Sequence, residues 1–309
     1  MRLPILPMTL VFAFALPILG AEAKVAARTV LRVAALDQDP PLDKAAFKAT
    51  LDGSPATVLR VRGPKDDMVL FLVLDLTGEV SLIDAARNAL AERLPQLPPN
   101  IWLAVVKSQD LLQVLADPTP DRQKVLDTIL TYAATGKAGL LATLETAARL
   151  GDGLIRRADV RVAMLYLTDS NIYNYREDFT NPVINSSDSR DLSRRFPEQL
   201  IREKMQKLSQ SLSSSETPFF FVHLNYFSDP INEAYQRGLL QLAAESGGIG
   251  AFSRSPGEIP ASLDKVLAAA ASHWSIGLEL GRVKSRTATV ALVNGEREIP
   301  SHTRFSLGR

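Results

Sequence analysis

The stretch Met68-Val69-Leu70-Phe71-Leu72-Val73-Leu74-Asp75 decides the fold. Its seven consecutive apolar residues show no alternation, so a strand built from them must be covered on both faces, as in a parallel sheet between helices. The run stops at an acid, Asp75, where such a strand meets its loop. Beyond it, Ser81-Leu82-Ile83-Asp84 reads as a capping box, and Ile83, Ala86, Leu90 and Leu94 follow at helical spacing until Pro95. Residues 101–106 predict a second buried strand, with 111–115 pairing beside it. Thr119-Pro120 reads as the cap and first-turn proline of a helix whose apolar side is Val125, Ile129 and Leu130. Residues 136–139 break the chain before a helix over 140–150, and a strand over 160–167 ends at Thr168-Asp169.

The remainder keeps the alternation. Residues 170–197 are polar, rich in serine and carrying Asn171, Asn174, Asn181 and Asn185, and read as a long loop. Helices are expected over 198–212, 231–245 and 259–271, with strands over 219–224 and 249–252. Strands alternating with helices across 68–271 predict an α/β fold, a doubly wound and mostly parallel sheet flanked by helices with right-handed crossovers. Ligands of such sheets bind beyond the carboxyl ends of the strands, where Asp75 and Asp169 stand. On the flanks, residues 29–36 and 47–61 are rich in β-formers around an Asp52-Gly53 turn signal, and period-two alternation returns over 274–280, 287–293 and 303–307.

The expected organisation is a signal peptide over 1–23, an N-terminal β-element over 24–64, the α/β domain over 65–272 and a C-terminal β-element over 273–309. The first of these rests on Arg2, an uncharged run from Leu3 to Leu19 and the small-residue ending Ala21-Glu22-Ala23. The expected location is therefore secreted or periplasmic, with no stable membrane span after cleavage.

Composition removes several classes of function. Of the 309 residues, 35 Lys+Arg oppose 34 Asp+Glu, and this balance of +1 argues against a nucleic-acid partner. Hydrophobic residues at 46% suffice for a full core. The chain has no cysteine, so disulfides, thiolate metal sites and thiol nucleophiles are all excluded. It has three histidines, His223, His273 and His302, too scattered for a His-rich metal site.

Asp75-Leu76-Thr77-Gly78-Glu79, placed between a buried strand and a helix, resembles the Asp-x-Ser-x-Ser start of a von Willebrand factor A domain. Leu167-Thr168-Asp169-Ser170 matches that family's Thr-Asp-Gly strand end, and Gly136-Lys137-Ala138-Gly139-Leu140-Leu141 lies where the family has a Gly-Gly-Thr loop. The segment from Leu242 to Gly248 looks like its last helix-to-strand turn, and both β-flanks resemble secreted proteins of this type abundant in acidobacteria. The resemblance covers nearly the whole chain after residue 23. It implies a metal-ion-dependent adhesion site in which Asp75, Thr77, Glu79 and Asp169 would hold Mg²⁺ or another divalent cation on oxygen ligands. It equally implies a degenerate site, because Glu79 replaces a serine and Ala138 stands where the metal-contacting threonine belongs. Either Glu79 takes over as a ligand, or the cation is lost and Lys137 places an ammonium near the two aspartates; of the two, loss of the cofactor is the preferred reading.

Structural roles compete with these. Asp75 and Asp169 also suit the capping of loops and helix N-termini, and Thr77 suits a loop hydrogen bond. His223, at the end of an apolar strand, reads as a packed histidine, and Phe219-Phe220-Phe221 as core. Arg194, Arg195, Arg202, Lys204 and Lys207, diluted by Glu198 and Glu203, read as a solvated face. No Gly-x-Ser-x-Gly elbow, His-Glu-x-x-His helix or phosphate-cradling Gly-x-x-x-x-Gly-Lys loop occurs. The expected function is thus a non-catalytic binding module for a protein or cell-surface ligand, acting through the loops around Asp75, Ala138 and Asp169. Its alternatives are a structural subunit of an envelope assembly and a hydrolase using Asp75.

Overall fold

The computed structural model describes residues 30–37, 41–175, 197–280 and 286–307. The expected signal peptide and residues 176–196 of the expected polar loop lie outside them.

The run at 68–75 forms β5 (Met68–Asp75), buried along its whole length. It is the centre of a six-stranded sheet ordered β10-β9-β8-β5-β6-β7, made with β6 (Ile101–Lys107), β7 (Gln113–Thr119), β8 (Arg161–Thr168), β9 (Phe219–His223) and β10 (Gly250–Phe252). All pairings are parallel except that of β7, which returns antiparallel along β6. This is the doubly wound, mostly parallel α/β sheet expected.

Alternate residues of β5 serve two cores. Met68, Leu70, Leu72 and Leu74 face α1 (Val80–Arg93), α2 (Arg122–Thr131) and the last helix, α6 (Ile259–Ser272), which contribute Ile83, Leu90, Ile129, Leu263 and Val266. Val69, Phe71 and Val73 face α3 (Leu140–Arg157), α4 (Pro197–Leu212) and α5 (Pro230–Ser246), which contribute Leu144, Met205, Tyr235 and Leu239. Among the described residues no helix is long and apolar enough to cross a membrane.

Several boundaries differ from expectation. The cap of α1 is Glu79, and Ser81 lies inside the helix with its hydroxyl donating to the Glu79 carboxylate, so no capping box forms at Ser81. β7 covers 113–119, two residues later than expected, and Thr119 belongs to it; α2 is capped instead by Asp121, whose carboxylate accepts from Lys124 N at 3.1 Å. Helix α3 runs on past residue 150, through Gly151 and Gly153, to Arg157. Asp152 explains the extension: its Oδ1 accepts from Ser215 Oγ, Glu216 N, Thr217 N and Thr217 Oγ1 at 2.8–3.1 Å, tying the turn before β9 to the helix.

The strands from the two ends of the chain pair with one another. β1 (Val30–Ala35), β11 (Trp274–Glu279) and β4 (Val58–Arg62) form one antiparallel sheet in the order β1-β11-β4. In a second sheet, β12 (Thr287–Asn294) pairs with β2 (Phe47–Leu51), which turns through Asp52-Gly53 into β3 (Ser54–Ala56). Both turn residues have positive φ, 49° and 78°, as a tight hairpin of this type requires. β12 also meets β13 (Arg297–Glu298) and β14 (Arg304–Ser306), and Leu31, Val33, Phe47, Trp274, Ile276, Leu278, Val290, Leu292 and Phe305 fill the core between the sheets.

Arg161 joins this sandwich to the α/β body. Fully buried at the start of β8, its guanidinium donates to the carbonyls of Pro64, Asp66, Ala271 and His273 at 2.8–3.3 Å. Burial lowers its pKa to about 10, still far enough above neutrality to keep the charge. Arg161→Met strips the Ala271 and His273 carbonyls of this donor, whereas those of Pro64 and Asp66 keep Asn100 Nδ2 at 3.0 and 2.8 Å. At 1–3 kcal/mol for an unsatisfied buried group, the expected loss of stability is about 2 kcal/mol or more in urea unfolding. Arg161→Lys, with a single donor centre, should recover only part of it.

Candidate functional site

The chain runs from β5 to β6 on one side and returns to β8 on the other. The carboxyl end of β5 is therefore the point where strand order reverses, and loops diverge there to leave a crevice. Asp75, Thr77 and Asp169 all stand at this point.

Asp75 is fully buried. Its Oδ1 accepts from Gly139 N at 2.7 Å and Ser108 Oγ at 3.3 Å, and its Oδ2 from Thr168 Oγ1 at 3.0 Å. Gly139 must be glycine for this, since a Cβ there would lie 1.6 Å from the Ser108 carbonyl oxygen. A hydroxyl chain extends the cluster, from Ser108 Oγ to Thr143 Oγ1 at 3.0 Å and on to Tyr166 OH at 3.3 Å. Burial raises the Asp75 pKa to about 6; the three donors oppose the shift and the charge of Asp169 adds to it.

Asp169 serves the backbone. Its Oδ1 accepts from Thr77 N at 2.7 Å and Thr77 Oγ1 at 3.1 Å, and its Oδ2 from Gly78 N at 3.1 Å and Glu79 N at 3.3 Å. One carboxylate thus fills the nest of amides that leads into α1. Thr77 Oγ1 also lies 3.1 Å from Ser170 Oγ. The Glu79 side chain is exposed and engaged by Ser81. Lys137 is exposed as well, its backbone paired with Asp110 through N–H and carbonyl.

The four residues expected to hold a cation therefore divide. Asp75, Thr77 and Asp169 come together, whereas the Glu79 carboxylate turns outward, and buried Ala138 offers no side-chain oxygen. The oxygens that do converge are already taken up by amide and hydroxyl donors, and the described residues contain no group of three or more His, Asp or Glu placed to hold a metal ion. As arranged, this donor set does not fit a divalent cation.

His223 is buried as expected. Its Nε2 lies 3.0 Å from the Ser170 carbonyl, and its Nδ1 accepts from Asn225 N at 3.3 Å, which places the proton on Nε2. Burial lowers its pKa to about 4, against small opposing contributions from Ser170 and Asp169, so the ring is neutral at pH 7. Tyr175 and Tyr235 pair through their hydroxyls at 2.8 Å nearby.

Ser108, Thr143 and Tyr166 were not singled out by sequence. Ser108 had a signal, since it follows β6 as closely as the acid follows β5. The other two depend on how α3 lies across the sheet.

Above this buried layer, exposed apolar side chains stand among the charged Glu79, Asp110 and Lys137. Val80, at the start of α1, and Leu111 and Tyr173, which follow β6 and β8, are 67%, 76% and 57% exposed. Beside them, Leu112, Ala142, Thr146 and Tyr175 help to line a cavity of about 360 Å³.

In sequence, no protein-family model and no curated protein matches the chain. In structure, it is similar to a von Willebrand factor type A protein from Catenulispora acidiphila, at 10% identity over 92% of this chain and 74% of that one, with a TM-score of 0.48. It is similar also to the vWF domain of the type V pili tip protein Mfa5 from Porphyromonas gingivalis, at 11% identity over 66% of this chain and 94% of that one, with a TM-score of 0.42. A third is VWA2, an ArnB paralog from Sulfolobus acidocaldarius, at 10% identity over 91% and 75% of the two chains, with a TM-score of 0.43.

The two buried titrating groups pull stability in opposite directions. Asp75 has a folded pKa above its unfolded value of 3.8, so its contribution is fully present below about 4 and is lost as pH rises to about 6. His223 has a folded pKa below its unfolded 6.5, so its contribution is present above 6.5 and is lost as pH falls to about 4. The stability difference between wild type and Asp75→Asn, measured by urea unfolding, should therefore fall by roughly 2 kcal/mol between pH 4 and pH 6. A flat difference would mean that the Asp75 carboxyl titrates normally.

Proposed function

We propose that the chain is a non-catalytic binding module, exported from the cytoplasm, that recognises a protein or surface ligand through the carboxyl-edge loops without a bridging cation. The observation that supports this is the inversion of character across the site. Asp75 and Asp169 are buried beneath, each held by protein donors, while Val80, Leu111 and Tyr173 present apolar side chains above. Large exposed apolar side chains at the loop end of a rigid scaffold are a recognition signature. Asp75 suits a positioning role in this reading: by holding Gly139 N it fixes the loop of Lys137 and Ala138 against β6.

Catalysis finds less support. The one histidine near the carboxylates has both ring nitrogens engaged with backbone groups, and among the described residues no hydroxyl is hydrogen-bonded to it. A hydrolytic role for Asp75 would need substrate to reach a side chain with no exposed surface.

Selection of a displayed random-peptide library on the immobilised protein tests the proposal. Enriched peptides should bind equally with Mg²⁺ and with a chelator, and should lose about tenfold or more in affinity to Leu111→Asp or Tyr173→Ser. Binding that needs Mg²⁺ and disappears in Asp75→Ala would restore the cation-dependent adhesion site. Binding indifferent to both surface substitutions would place recognition elsewhere.

A further inference from the structure

At the other end of the molecule, the outward face of the β1-β11-β4 sheet gathers three arginines around a glycine. Register puts Arg32 opposite Gly277 and Gly277 opposite Arg60, one row across three strands. In the next row, on the same face, Ser275 stands between Ala34 and Arg62. These residues enclose a cavity of about 240 Å³, closed on the side of the α/β body by Asp159 from the turn before β8.

A bulge makes the arrangement. Gly277 faces Arg60 but Leu278 faces Val58, which leaves Leu59 as the extra residue in β4. Val58 and Val61 therefore both pack inward on the sandwich core, while Leu59, Arg60 and Arg62 turn out. Strict alternation would put Val58 on the same face as the arginines. Re-aiming side chains in this way is a recurrent use of bulges near binding sites.

Asp159 fixes two of the guanidiniums. Arg62 meets it in a fork, Nε to Oδ1 at 3.1 Å and Nη2 to Oδ2 at 2.6 Å, and Arg60 reaches the same Oδ2. Arg32 is half-buried, and among the described residues its guanidinium has no ion pair. Glu216, buried at the edge of β1, also accepts from Arg32 N at 2.5 Å, so three cations stand against two carboxylates and one positive charge is left over; Glu279 is exposed at the rim opposite Val30.

Gly277 is the floor. Its φ is not positive, and a Cβ there would meet its nearest neighbours at 3.6–3.7 Å, an ordinary contact distance. Neither conformation nor packing requires glycine in this buried strand position, where it weakens the strand. Its missing side chain keeps the cavity open beneath the arginines.

We infer that this face binds a small dianion, a phosphate monoester or a dicarboxylate, held in the cavity between Arg32 and the Arg60–Arg62 pair that Asp159 orients. The planar fork of arginine suits an oxyanion, and Arg32 on one side and the Arg60–Arg62 pair on the other can each engage one anionic end of it. The site is separate from the carboxyl-edge loops and stands independently of the proposed binding role.

Calorimetric and thermal-shift titration of the whole protein with inorganic phosphate and with succinate, against sodium chloride at matched ionic strength, tests this. Saturable binding of either anion, with a rise in Tm that follows its concentration, is expected. Preference for phosphate assigns a phosphate monoester, and preference for succinate a dicarboxylate. Arg32→Gln and Arg60→Gln should each weaken binding by ~10-fold or more, and Gly277→Leu should abolish it by filling the floor. Should Gly277→Leu lower Tm on its own, the two exposed-side glutamine variants still decide. Absence of saturable binding up to about 10 mM of both anions, or unchanged affinity in Arg32→Gln, overturns the inference.

Discussion

One buried cation sets how the two halves of the molecule meet. The Arg161 guanidinium satisfies carbonyls from three places at once: the turn before β5, the end of α6 and the start of β11. Among the described residues it forms no ion pair, although the charges of Asp66 and Asp67 favour it from nearby. The charge is held by backbone dipoles, among them a carbonyl from the negative end of α6. Burial and the same guanidinium also keep His273, next to the joint, neutral, with a pKa lowered to about 3. The starts of β5, β8 and β11 and the end of α6 thus converge on one side chain.

From that joint, the parallel strands run to the opposite end and deliver their terminal side chains together. Asp75 and Thr168 are register partners at the ends of β5 and β8, so the acid and its donor meet with no loop rearrangement. Asp169, one residue on, organises the loop before α1 in place of a side-chain cap from within that helix. The two acids that look alike in sequence thus do different work, one pinning a glycine backbone and the other filling a nest of amides. A carboxylate surrounded by donors at 2.7–3.3 Å is a structural anion.

How much of this was legible in the sequence follows the range of the interactions. The apolar run at 68–74 carries its own covering requirement, and Asp52-Gly53 its own turn, so the buried strand and the hairpin could both be read directly. The order of strands and helices across the α/β region could be read for the same reason. Boundaries failed where a distant group intervened: α3 outlasts its glycines because Asp152 binds the 215–217 turn, and the α1 cap at Glu79 coexists with a carboxylate 90 residues away in sequence. At the site, the residues at strand ends were recoverable from pattern. The direction of the Glu79 side chain and the depth of Thr143 depend on tertiary packing that no local spacing encodes.

The pairing of the chain's two ends sets the order in which the molecule is completed. Val30 pairs with Glu279 and Phe47 with Asn294, so β1 has no strand partner, and β2 only its hairpin mate β3, until the strands beyond residue 273 are present. Loop closure over such a span is slow and late compared with the nearer βα pairings of the central sheet. During synthesis, β1 and β2 are open edges for as long as β11 and β12 are missing, and open edges are where strands of different chains meet. The sandwich is a clasp that closes last, with the C-terminal strands as its catch.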